Sequence, residues 1–80
     1  FELKAELTIG RKEGLIVLPE DHEVSRQHLV IRKLGDRVEV EDLGSTNGSE
    51  LNGRKLAPNQ PEPVHAGDLI KLGATMIKLL

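Results

Sequence analysis

The sequence predicts an all-β domain folded as a two-sheet β-sandwich. Three observations carry that expectation. Short aliphatic runs, alternating or continuous, recur along the whole chain. Turn signals built on Gly, Pro and Asn separate these runs at intervals of about eight residues, the spacing of short sandwich strands. No window carries the apolar period of a helix of useful length.

Taken in order, Glu2 to Ile9 alternates: Leu3, Ala5, Leu7 and Ile9 point one way and Glu2, Lys4, Glu6 and Thr8 the other. That is a half-buried strand, single or broken in two, ended by Gly10-Arg11-Lys12-Glu13-Gly14. Leu15-Ile16-Val17-Leu18 is a continuous apolar run, the pattern of a strand covered on both faces, and Pro19 stops it. An acidic loop from Glu20 to Val24 and the run Ser25-Arg26-Gln27-His28 lead into a strand over Leu29 to Leu34. Gly35-Asp36 is a hairpin signal, and Arg37 to Glu41 returns with period two.

Asp42-Leu43-Gly44-Ser45-Thr46-Asn47-Gly48 is then a polar loop at a strand end. Its glycines permit positive φ, and its small side chains bond their own loop or a ligand. Two short runs, Ser49-Glu50-Leu51 and Arg54-Lys55-Leu56, flank Asn52-Gly53, the sequence of a type I′ turn. Ala57 to Pro63 holds three prolines and reads as an irregular connection. Leu69 to Leu72 and Ala74 to Leu80 complete the strands, with Gly73 between them.

The totals bound the function. Eighty residues make one domain, which buries only about 60–65% of the surface its unfolded chain exposes. With no cysteine there is neither disulfide nor thiolate metal site, and with one Phe and one Met the core must be aliphatic. The net charge of −2, from 11 basic and 13 acidic residues, argues against non-specific nucleic-acid binding. Aromatic stacking platforms for single strands are missing too. No apolar run reaches the ~20 residues of a membrane helix, and no signal peptide is visible. Phe1 at the start leads us to expect a domain, residues 1–80, excised from a longer chain.

Three loop patches combine chemistry with strand boundaries: Arg11 after Gly10, Ser25-Arg26-Gln27-His28, and the loop from Asp42 to Gly48. Sandwich loops gather at the two ends, so patches distant in sequence converge. Arg11 and Arg26 bring fixed positive charge, and Ser25 and Thr46 bring hydroxyl donors. Together they suit a phosphate, which arginine binds through charge-assisted and often bidentate bonds.

The ordered series Gly10-Arg11, Ser25-Arg26-Gln27-His28, Asp42 to Gly48, Leu51-Asn52-Gly53 and Gly67-Asp68 resembles the forkhead-associated (FHA) domain. The resemblance covers roughly residues 7–80. It implies an FHA/SMAD-like sandwich of about ten or eleven short strands, with binding loops at one end. It also implies phosphothreonine-dependent protein or peptide binding in Ser/Thr kinase signalling. Arg11, Ser25, Arg26 and Thr46 would hold the phosphate and Asn47 the peptide backbone. Gly10, His28 and Gly48 resemble structural positions supporting that site. The implied partner is a phosphothreonine-containing protein or peptide, bound by a monomer without cofactor, metal, direct nucleic-acid contact or membrane. Kinase-dependent function implies an intracellular, cytoplasmic setting, or a nuclear one in a eukaryote.

Other readings compete. Some members of the family assemble independently of phosphate through a sheet face, and this chain could do the same. Ser25 with His28 suggests a nucleophile and base, but no acid is placed to orient the histidine. His22 and His65 read as surface residues, and three scattered histidines have no zinc spacing. The loop opening at Asp42 fails as a calcium loop, with Gly44 and Gly53 where acidic ligands belong. Gly48 to Gly53 fails as a P-loop, since Arg54-Lys55 replaces the required Lys and hydroxyl. Glu20, Asp21, Glu23 and Glu50 beside the expected site lead us to expect basic or neutral peptide flanks.

Overall fold

The computed structural model describes residues 4–79. The expected strand start at Glu2 and Leu3, and the last residue Leu80, lie outside them. Nine strands form among the described residues, against the ten or eleven expected: β1 Lys4–Gly10, β2 Ile16–Val17, β3 Leu29–Leu34, β4 Arg37–Asp42, β5 Ser49–Leu51, β6 Arg54–Lys55, β7 Glu62–Val64, β8 Leu69–Leu72 and β9 Thr75–Lys78. They pair into a five-stranded sheet, β2-β1-β3-β4-β7, and a four-stranded sheet, β6-β5-β8-β9. No helix occurs among these residues, and the architecture is the expected sandwich. The strand count is lower because the chain from Leu18 to His28 forms no regular ladder: its backbone bonds go to local turns, to side chains and to the end of β1 and the loop after it.

Period-two alternation decides which side chains meet between the sheets. Leu7 and Ile9 of β1 face inward, opposite Ile31 and Leu29 of β3. In the second sheet Leu51, Ile70 and Leu72 face inward while Glu50, Lys71 and Met76 face solvent. Leu29, Val40, Ile70 and Leu72 have no exposed surface, and Val24, from the β2–β3 loop, joins the same cluster.

The run Leu15 to Leu18 departs from expectation. Only Ile16–Val17 forms a strand, and it lies at a sheet edge, parallel to β1. Leu15, Ile16 and Val17 are 73%, 37% and 43% exposed. A continuous apolar run predicts a doubly covered strand, but an edge strand outside the sandwich has no second layer to cover it. β7 extends into the proline-rich connection. Pro63 opposes Glu39 there, which is tolerated because β7 is an edge strand and the missing N–H costs no ladder bond.

The turns follow their chemistry. Asn52 and Gly53 adopt φ of 52° and 85°, as a type I′ hairpin requires. Asn52 also donates to Asp68 Oδ1 at 3.1 Å and accepts Leu69 N–H at 2.9 Å. The Asn52-Gly53 and Gly67-Asp68 motifs therefore lock one another. Gly73, at φ 58°, turns β8 into β9.

Register sets the functional end. Ile9 pairs with Leu29, Leu29 with Asp42, and Ser49 with Leu72. The loops after β1, before β3, between β4 and β5, and after β8 thus emerge at the same end. We expect Ile70→Ala to cost about 2–5 kcal/mol through lost burial and a residual cavity. Urea unfolding would show it as a lower midpoint with an unchanged slope.

Candidate functional site

The site end is assembled on backbone. Arg11 N–H donates to Ser25 C=O at 2.9 Å, and Glu13 N–H donates to Arg26 C=O at 3.1 Å. The loop after β1 therefore lies along the Ser25-Arg26 backbone. A Cβ on Gly10 would stand 2.1 Å from the Arg26 carbonyl oxygen, so only glycine permits this approach.

His28 joins the loops from inside and has no exposed surface. Its Nδ1 accepts Ser25 N–H at 3.0 Å, and its Nε2 lies 2.9 Å from Gly48 C=O. An amide donor on one nitrogen and a carbonyl acceptor on the other select the neutral Nε2–H tautomer. Its own backbone accepts Leu43 N–H and donates to Ile9 C=O. Both ring nitrogens are committed to backbone, so the ring offers the Ser25 hydroxyl no base. His22 and His65 are exposed, as read from the sequence.

The loop from Asp42 to Gly48 is ordered by a carboxylate. Asp42 is 2% exposed. Its Oδ1 accepts the N–H groups of Gly44 at 2.9 Å and Ser45 at 2.8 Å, and its Oδ2 accepts the hydroxyls of Ser45 and Ser49, each at 2.6 Å. The Ser49 bond joins the end of β4 to the start of β5, and so one sheet to the other. Burial pushes the Asp42 carboxyl up, but the Ser45 and Ser49 hydroxyls and the Ser45 amide together hold it below its ordinary value. The sequence expectation includes Asp42 only as the first residue of its loop, without this capping role, and Ser49 only as part of a short run. The signal was present: Asp followed two and three positions later by Gly and Ser is the pattern of a side chain capping its own turn.

Two candidate binding residues, Arg11 and Thr46, converge on a third, Ser25. Its carbonyl holds the Arg11 amide and its Oγ accepts Thr46 N–H at 2.9 Å. Because Oγ accepts there, its own proton remains to be donated. Arg11 is part-buried, and its Nε is buried without a hydrogen-bond partner. Arg26 differs: its side chain is 65% exposed and its Nε lies 3.7 Å from Glu13 Oε2. Such an exposed pair is weak and leaves the guanidinium free to swing. Asn47 Nδ2 donates to Glu23 C=O at 2.8 Å, leaving its Oδ1 and a second N–H. Beside it, Glu23, Asn47, Gly48, Glu50, Lys71 and Gly73 line a cleft of ≈140 Å³. No cluster of three or more His, Asp or Glu suited to a metal is present among the described residues.

A rigid sandwich that presents its arginines, hydroxyls and amide on linked loops at one end is built as a recognition module. The FHA domain profile matches residues 7–73, and the chain belongs to that family. It is 36% identical over 74 residues to the oxoglutarate dehydrogenase inhibitor of Corynebacterium jeikeium, covering 91% of this chain and 49% of that protein. The chain spans half or less of the length of the curated relatives it matches. The FhaA FHA domain, solved in complex with the intracellular domain of Rv3910, superposes with a TM-score of 0.82 at 36% identity, covering 98% of this chain and 84% of that one. The N-terminal FHA domain of Rad53p from S. cerevisiae, solved with a phosphothreonine peptide, gives a TM-score of 0.78 at 31% identity, covering 86% and 56%.

The Asp42 carboxyl makes a pH prediction. Its folded pKa lies below its unfolded one, so its stabilisation is complete above the unfolded value, near pH 4, and is lost as pH falls through the folded value. We expect the protein to lose stability on acidification below about pH 4. Asp42→Asn should be less stable at neutral pH and show a flatter acid limb in pH-dependent urea unfolding.

Proposed function

We propose that the protein is a phosphothreonine-dependent peptide-binding module acting in Ser/Thr kinase signalling. The observation that carries this reading is the Ser25 hydroxyl, its proton uncommitted, on the stretch whose backbone carbonyl holds Arg11, a residue whose own Nε is buried without a hydrogen-bond partner. Buried donors without partners are costly, by about 1–3 kcal/mol. The Arg11 side chain recovers that cost by turning out to an anion, and phosphothreonine carries roughly −1.5 to −2 charges at neutral pH.

In this reading Arg11, Ser25 and Thr46 bind the phosphate and Arg26 swings from Glu13 to add charge. Asn47 holds the peptide backbone through its free amide atoms. Gly10, His28 and Gly48 keep the three loops together. The FHA domain of Rad53p, crystallised with a phosphothreonine peptide, supports the assignment through shared family and fold. The ring nitrogens of His28 are occupied by backbone, which counts against a Ser25-His28 nucleophile.

An unmodified threonine gives the arginines nothing to meet, so phosphorylation decides binding. Choice of threonine over serine rests on one methyl, worth about 10–200-fold in a fitted slot. Calorimetry with matched phosphothreonine, phosphoserine and threonine peptides tests both points. Arg11→Ala should weaken phosphothreonine binding by about 30-fold or more. Equal affinity for phosphorylated and plain peptides would refute the reading.

Glu23 and Glu50 line the cleft beside Asn47, against a single Lys71. Residues flanking the phosphothreonine should therefore be basic or neutral. An oriented phosphothreonine library reads this directly, and strong selection of Asp or Glu next to the phosphosite would sink it.

A further inference from the structure

We propose that Asp21 is a positioning residue of the peptide cleft. It pins the β2–β3 loop to the β8–β9 turn and so sets where Asn47 and the cleft walls stand. The inference rests on the phosphopeptide reading above.

Asp21 reaches across the fold. Its Oδ2 accepts Ala74 N–H at 2.9 Å and the Thr75 hydroxyl at 2.6 Å, partners 53 and 54 residues further along the chain. Its Oδ1 accepts Glu23 N–H at 3.1 Å. The Glu23 carbonyl, one peptide unit on, is the acceptor for Asn47 Nδ2 at 2.8 Å. Thr75, Asp21, Glu23 and Asn47 therefore form one connected series. Packing seals the joint: a Cβ on Gly73 would stand 2.7 Å from Val24 Cγ2 and 2.8 Å from Asp21 Oδ1. No other residue lets the turn and the loop approach so closely.

The cleft beside Asn47 has walls from two sources. Glu23, Asn47 and Gly48 come from the loops, and Glu50, Lys71 and Gly73 from the four-stranded sheet. The Asp21 side chain ties these two sources together. It makes none of the bonds to Arg11, Ser25 or Thr46, which hang on the Ser25 backbone, Ser25 Oγ and His28. Loosening Asp21 should therefore disturb peptide contacts more than phosphate contacts.

Charge and geometry both matter here. Three donors meet two carboxylate oxygens, so an asparagine of the same size must turn its NH₂ toward at least one backbone N–H. Asp21→Asn thus removes the clamp without removing volume. Thr75→Val removes the hydroxyl donor at equal size, and Thr75→Ser restores it.

The test compares a phosphothreonine peptide with N-acetyl-phosphothreonine methylamide, which has phosphate but no flanking residues. The parent, Asp21→Asn, Thr75→Val, Thr75→Ser and the Asp21→Asn/Thr75→Val double variant are titrated by NMR, with melting temperatures taken alongside. Asp21→Asn and Thr75→Val should each lose about 10-fold in peptide affinity while the minimal ligand loses less than about 3-fold. Thr75→Ser should stay within about 2-fold of the parent, and the double variant should fall little below the worse single one, as expected for one shared device. Peptide binding by Asp21→Asn equal to the parent overturns the inference alone. An equal fall for both ligands with a lowered melting temperature overturns it too, reducing Asp21 to a fold stabiliser. A parent that binds no phosphothreonine peptide overturns the functional reading and this inference together.

Discussion

The imidazole of His28 is the contact on which the site end depends. It sits fully buried between an amide donor, Ser25 N–H, and a carbonyl acceptor, Gly48 C=O. One planar group with a donor and an acceptor on opposite edges satisfies two loops that would otherwise bury unpaired backbone. Its position at the head of β3, next to Ile9 and Leu43, ties those loops to the sheet. Lysine or arginine could not accept the Ser25 amide, and a carboxylate could not donate to Gly48. The pair of requirements limits the position to a side chain that carries both an acceptor and a donor, as the neutral imidazole does.

Around His28 the loops satisfy one another. Asp42 caps its own turn through three bonds and with a fourth reaches Ser49 across to the second sheet. Ser25 Oγ holds Thr46, and the Glu23 carbonyl holds Asn47. The backbone of the site is thus organised in the protein itself, and little ordering entropy is left for a ligand to overcome. Against that background the Arg11 Nε stands apart, buried and unmatched. A nearly closed network with a few donors left over, the Arg11 Nε, the Ser25 hydroxyl proton and an Asn47 N–H, is an arrangement suited to selecting an acceptor of the right charge.

Much of this was legible in the chain. β3 and β4 emerged where the alternation and the Gly35-Asp36 turn put them, with β4 running one residue further. The Asn52-Gly53 hairpin followed from positive φ alone. Leu15 to Leu18 misled, because apolar content does not distinguish a strand buried between layers from an edge strand. Arg26 was grouped with Arg11, yet it points to Glu13, a neighbour contributed by another loop. Asp42 was read only as the opening of a loop, although its capping pattern is local. In the sequence Asp21 stands out only as one of four acidic neighbours of the site, and its partners Ala74 and Thr75 lie too far along the chain for spacing to reveal.

By itself, then, the sequence determined the strands, the tight turns and the residue types gathered near the site. Those depend on side-chain periodicity and backbone stereochemistry, which act over a few residues. Tertiary structure decided which polar groups were spent on holding loops and which were left to meet a ligand. That division is set by contacts between distant segments, such as Asn47 with Glu23, 24 residues apart, and Thr75 with Asp21, 54 apart. A hydrogen bond satisfies whichever partner the fold brings within about 3 Å, and only the folded chain specifies that partner.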